Sequence, residues 1–204
     1  MPIVYLIVYS TSFELLARMS GTSPYIPYKL GKYFLLLLLI FGILKGYRKG
    51  KVGLIMLLLL LPAAFYDLSG QSTTRNLIFN LIGPINVALA VVFFRKQEID
   101  EESFIDAVKL LLYPLVAVLA FTIFGSPALE DVEFTLEGNF ETAGGFGTNQ
   151  VSTALGLGAF LVLIFWRKRQ IFTGYRWLDI MLLFLFMFRG LITFSRGGMI
   201  GGAL

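Results

Sequence analysis

Polar and apolar positions fall in blocks along this chain. The stretches "YFLLLLLIFGIL" (33–44) and "LIMLLLLLPAAF" (54–65) are apolar on every side. A helix built from them has no face for water and fits a hydrocarbon surrounding. Crossing the hydrocarbon core takes about 20 residues. On that measure the pattern predicts seven spans, at 1–17, 26–44, 52–68, 77–94, 108–124, 150–166 and 177–194, with an eighth beginning at Met199. The expected fold class is all-α, a polytopic transmembrane helix bundle in a lipid bilayer, forming a single domain over 1–204. Apolar segments recur along the whole length, which argues against a signal peptide followed by a soluble domain.

Composition strengthens this picture. Hydrophobic residues make up 57% of the 204 positions and charged residues 15%, against about 25% charged in soluble domains. The net charge is +4. In a soluble protein that balance points to nucleic acid. Here the cations sit in short connections, so membrane topology explains them and no nucleic-acid partner is expected. Connections 45–51 and 167–176 carry four Lys or Arg each, and 95–107 carries two; 69–76 carries one, and 125–149 carries none but has five acids. Basic and non-basic connections therefore alternate. The positive-inside rule assigns the basic ones and the N-terminus to the cytoplasm, and 125–149 to the outer face. Lys29 and Lys32 fit this less cleanly.

The chemistry available is narrow. The chain has no cysteine and no histidine, which removes thiolate sites and the commonest general base. No metal-ligand spacing is present, and no cofactor is implied. The first candidate is Arg196 in "TFSRGG". A guanidinium forks onto phosphate oxygens, and Ser195, Gly197 and Gly198 leave room for a ligand to reach the backbone. The plain alternative is an arginine that snorkels at a helix end. Arg189 lies seven residues earlier, on the same helix face. Together the two suit a doubly charged group such as a pyrophosphate; alternatively Arg189 pairs structurally with an acid or with carbonyls. In "ETAGGFGTNQVSTALGLG" (141–158) a glycine cluster leads into Thr148 and Asn149, where either residue is expected to cap the next helix. "GLG" at 156–158 is read as close helix packing. Glu130, Asp131, Glu133, Glu137 and Glu141 form a solvated acidic stretch from which spacing selects no single acid. Arg75 stands at the outer start of the fourth helix and could join the same site. Pro84 and Pro114 are expected to kink their helices, and Asn80 and Asn86 to bond to neighbouring helices. Segment 95–109 reads as a short, solvated amphipathic helix.

Two of these pieces together carry a resemblance. "GGFGTNQVSTALGLG" opening a helix, then a short basic turn, then a helix ending in "TFSRGG", resembles the superfamily of O-antigen ligases and O-antigen polymerases. The motifs cover 140–204. The resemblance implies glycosyl transfer on the outer face of the bacterial inner membrane. The donor is a glycan on undecaprenyl pyrophosphate, and the acceptor is lipid A core, a growing glycan or a protein hydroxyl. It implies that Arg196 engages the donor pyrophosphate, with Arg189, Ser195, Gly197, Asn149 and Arg75 as further donor-binding candidates. A preorganised arginine stabilises the charge that grows on the leaving pyrophosphate. Members of that superfamily have about a dozen helices and a further outer loop with an arginine and a histidine. The chain is therefore expected to be the first part of a longer protein, and inactive alone. Two rival functions remain: a transporter or flippase for a lipid-linked or anionic substrate, and a non-catalytic membrane scaffold.

Overall fold

The computed structural model describes residues 2–21, 30–46, 51–62, 73–95, 97–127 and 140–193. Among the described residues there are seven α-helices and no strand: α1 (Pro2–Met19), α2 (Leu30–Leu44), α3 (Lys51–Leu60), α4 (Thr73–Phe94), α5 (Glu101–Phe124), α6 (Thr148–Arg167) and α7 (Arg176–Ile192). The fold class is all-α, as expected. Two helices, α5 and α6, are long and apolar enough to cross a membrane; α2, α3 and Asn80–Phe94 of α4 are apolar but shorter. The eighth helix expected from Met199 lies outside the described residues.

The largest departure from the sequence reading is at α5. Segment 95–109 does not form a separate amphipathic helix, because its second half is the first turns of α5. The reason is local. The Asp100 side chain accepts from the Ser103 amide at 2.8 Å, Glu101 and Glu102 sit in the first turn where acids suit the helix dipole, and no Gly or Pro interrupts the chain before Pro114. The Ser103 amide holds the Asp100 carboxyl below its ordinary value. Both α4 and α5 run on through their prolines, Pro84 and Pro114, as single helices.

The core has two centres. One joins Met19 of α1 to Leu112, Leu115 and Val118 of α5, Val151, Leu155 and Phe165 of α6, and Phe186 of α7. The other joins Val4 and Ile7 of α1 to Leu39 of α2 and Phe93 of α4. Helix α1 thus takes part in both centres, and it packs against α2 and α5. Among the expected polar contacts, Asn86 Nδ2 donates to the Lys32 carbonyl of α2 at 3.0 Å, whereas Asn80 is exposed.

Glycines set the closest approaches. A Cβ on Gly158 of α6 would run into the fully buried Phe186 ring of α7. Gly42 of α2 stands in the same relation to Phe93, and Gly53 of α3 to the Ala88 carbonyl and Val92. The "GLG" at 156–158 therefore does mark close packing, at its second glycine.

The α6–α7 connection is short and tightly held. Helix α6 ends with the Gln170 amide donating to the Phe165 carbonyl at 3.0 Å and the Arg169 amide to the Trp166 carbonyl at 3.1 Å. This pairing is a Schellman motif, and its left-handed position is commonly glycine. Here it is Arg169, at φ 56°, where an L-residue costs about 1 kcal/mol or more. The buried Asp179 of α7 then accepts from the Phe172 amide (2.9 Å), the Thr173 amide (2.9 Å) and the Thr173 hydroxyl (2.7 Å). Lys168 Nζ lies 2.8 Å from Glu101 Oε1, tying the connection to the start of α5.

Two glycines on the α6–α7 interface should separate under substitution. Gly158→Val has to displace Phe186 and is expected to lose about 1–3 kcal/mol. Gly190→Ala would place its Cβ 3.7 Å from Leu155 Cβ, an ordinary contact, and is expected to be neutral or to gain up to about 1 kcal/mol from helix propensity. Thermal unfolding of the two variants in one detergent, followed by circular dichroism, checks the contrast. Equal melting points would discount the close approach at Gly158.

Candidate functional site

The polar residues that come together do so at the end of the bundle where α1, α5 and α7 finish and α6 begins. Residues 140–147 form a compact turn there. The Gly145 amide donates to the Phe140 carbonyl and the Gly144 amide to the Glu141 carbonyl, each at 3.0 Å. Gly144 and Gly145 adopt φ of 69° and 73°, values that glycine reaches without steric cost. The turn pushes Thr142 and Ala143 into the core, 1% and 0% exposed.

Arg189 of α7 lies beneath this turn, 7% exposed. Its Nη2 donates to the Thr122 carbonyl of α5 and to Ser126 Oγ, the latter at 2.6 Å. The Ser126 hydroxyl has two carbonyls within reach of its own proton, Thr122 at 2.6 Å and Glu141 at 3.1 Å. The Thr142 hydroxyl donates to the Ile192 carbonyl at 3.2 Å. These contacts join α5, the glycine turn and the end of α7. Of the two readings open for Arg189, pairing with carbonyls is the arrangement found; no described carboxylate forms an ion pair with it. Its Nε is buried without a hydrogen-bond acceptor.

A second charged pair sits on α1. Arg18 Nη1 is 3.7 Å from Glu14 Oε1, and the Arg18 guanidinium lies over the Phe146 ring, 5.0 Å from its centroid. This is cation–π geometry, and Phe146 belongs to the glycine turn. Helix α2 accommodates Glu14 through Gly31, where a Cβ would come within 2.9 Å of Glu14 Cγ.

The sequence-derived candidates fare unevenly. Arg196, Ser195 and Gly197 lie outside the described residues, as do Glu130, Asp131, Glu133 and Glu137. The backbone of Arg75 is in the first turn of α4; its side chain is not among those described. Glu141 is exposed, and it is its carbonyl that the site uses. Asn149 is exposed in the first turn of α6, and its carbonyl accepts from the hydroxyls of Ser152 (3.2 Å) and Thr153 (2.7 Å). The expected Thr148 or Asn149 cap is corrected. The cap position is Gly147, with no side-chain hydrogen bond, because the turn hands the chain to the helix one residue earlier, and both polar residues already lie inside the first turn.

Sequence reading missed Thr122, Ser126 and Thr142, and also Glu14 and Arg18. The first three had no signal beyond being small and polar near helix ends. Glu14 and Arg18 did have one, since an acid and a base four apart inside an apolar stretch are expected to pair.

Comparison with protein-family models, with curated proteins and with solved structures finds no match for this chain.

If Arg189 holds the bundle end together, Arg189→Ala is expected to lose about 2–3 kcal/mol, since its charged hydrogen bonds to the Thr122 carbonyl and Ser126 are removed. Ser126→Ala should lose about 1 kcal/mol. Chemical denaturation in detergent, with proteolysis of the 140–147 turn as a second readout, measures both. A neutral Arg189→Ala would mean that the cluster does not stabilise this end.

Proposed function

We propose that this chain is a multi-pass protein of the bacterial inner membrane and acts as an O-antigen ligase-like glycosyltransferase. It transfers or polymerises a glycan from an undecaprenyl-pyrophosphate donor at the outer face. The acceptor class is lipid A core, a glycan or a protein hydroxyl. The N-terminus is cytoplasmic, and the end that carries the glycine turn faces outward.

The membrane part of the proposal draws support from the surface. Leu37 and Leu58 are 63% and 62% exposed, Leu59 is 73% and Phe124 is 89%. Such apolar exposure is costly in water and normal in lipid. The observation that carries the catalytic part is the hydrogen bond from Thr142 to the Ile192 carbonyl. It joins the "ETAGGFG" segment to the last residue of α7, four residues before Arg196. The glycine segment is thus tied to the end of α7, the helix that leads in sequence to "SRGG". In this reading Arg189 is a positioning residue, because its Nη2 is already committed to α5, and it fixes the base from which the "SRGG" segment leaves. Arg196 is the donor-phosphate ligand. As the sugar–phosphate bond breaks, charge builds on the leaving pyrophosphate, and a fixed guanidinium stabilises it.

A flippase would use the same residues to hold the same class of substrate, so the test must follow the fate of the donor. In a bacterium that carries this gene, Arg196→Ala is expected to lower glycan transfer by about 10²-fold or more, with glycan accumulating on the lipid carrier at the outer face. Arg189→Lys should keep most of the activity at normal protein level. Unchanged surface glycan in Arg196→Ala, with the protein present, would end the catalytic reading. Donor trapped on the cytoplasmic side would point to transport instead.

A further inference from the structure

We infer that the α6–α7 connection is a docking surface for anionic phospholipid headgroups in the leaflet it faces; this rests on the membrane placement proposed above. The connection lies at the opposite end of the bundle from the glycine turn. Arg167 closes α6, Arg169 follows it, and Arg176 opens α7; all three are exposed. Lys168 is excluded from the count, because it is committed to Glu101.

Large aromatics flank these cations. Trp166 is 55% exposed, Tyr175 63% and Trp177 64%. Exposed Trp and Tyr at the ends of apolar helices settle at the headgroup level of a bilayer. Cations beside them are then at phosphate depth, where forked guanidinium donors suit phosphate oxygens.

Two further features separate this surface from a loop that is basic only for topology. The connection is rigid, since Asp179 holds the Phe172 and Thr173 amides and the Thr173 hydroxyl. A preorganised surface loses less entropy on binding. Arg169 also occupies the left-handed position of the helix end, where glycine would sit without strain. The fold alone gives no reason for an arginine there, whereas a phosphate ligand does.

The test uses the purified chain in neutral detergent, with phosphatidylglycerol and phosphatidylcholine of equal acyl length as probes and native mass spectrometry as readout. Each cation near an anionic headgroup is expected to contribute about fivefold in affinity. Wild-type protein should therefore prefer phosphatidylglycerol by about 100-fold, and the triple variant R167Q/R169Q/R176Q should bind both lipids alike. Arg169→Gly separates binding from folding: it should weaken phosphatidylglycerol binding about fivefold while the melting temperature stays the same or rises. Equal binding of the two lipids by wild-type protein would overturn the inference. So would a triple variant that keeps the preference, or displacement of phosphatidylglycerol by millimolar inorganic phosphate, which would indicate a small-anion site. Extraction of the chain from membranes by alkaline carbonate is measured alongside. Release there would overturn the membrane placement itself, whereas a carbonate-resistant chain without headgroup preference loses only the docking surface.

Discussion

A cation buried at the junction of two helix ends organises this structure. Arg189 sits in the last turn of α7, and its Nη2 reaches the Thr122 carbonyl in the last turn of α5. The final carbonyls of a helix lack intrahelical donors and carry the negative end of its dipole. The guanidinium therefore answers the C-terminus of α5, while the Thr142 hydroxyl answers that of α7 at Ile192. Desolvating it costs several kcal/mol, and among the described residues the return comes from neutral oxygens around it. This explains why the glycine turn is shaped as it is. Glu141 must present its carbonyl to Ser126, and Thr142 must turn inward to Ile192. Gly144 and Gly145 then bring the chain back out through left-handed backbone.

Away from that end, cohesion comes from proximity of backbone. In the membrane placement proposed above, apolar side chains gain little by leaving hydrocarbon for hydrocarbon, and dense packing carries the association. Gly42, Gly53 and Gly158 each remove a Cβ at a contact point, and Phe93, Val92 and Phe186 fill the space. In each pair a large side chain is seated by the absence of a small one.

The all-helical class and the order of the helices were legible in the sequence, whereas of the seven spans expected two, α5 and α6, are long and apolar enough to cross a membrane among the described residues. The start of α5 was not, since Glu101, Glu102 and Asp106 look like a solvated segment until the Asp100 cap is seen to begin the helix. The start of α6 was missed for the opposite reason. Thr148 and Asn149 are good capping residues by type, but Gly147 already occupies the boundary. At the site, the arginine was legible and its partners were not. Thr122 acts through its backbone carbonyl, and the Ser126 and Thr142 hydroxyls bond to backbone carbonyls; carbonyl positions follow from tertiary packing, which a one-dimensional pattern does not encode. Asp179 escaped in the same way: its three bonds close a connection whose path depends on how α6 ends.

Helix α1 belongs to both cores. Val4 and Ile7 lie in one and Met19 in the other, against the glycine turn, and the helix packs on both α2 and α5. It also precedes the other described helices in the chain. During synthesis α1 can settle against α2 at once, yet its contacts with α5 must wait until α5 has been made. Assembly is thus split in time: an early hairpin, then a late docking that completes the second core. A defect confined to the contacts of α1 with α5 would leave the early hairpin intact and reveal itself only after α5 had been translated.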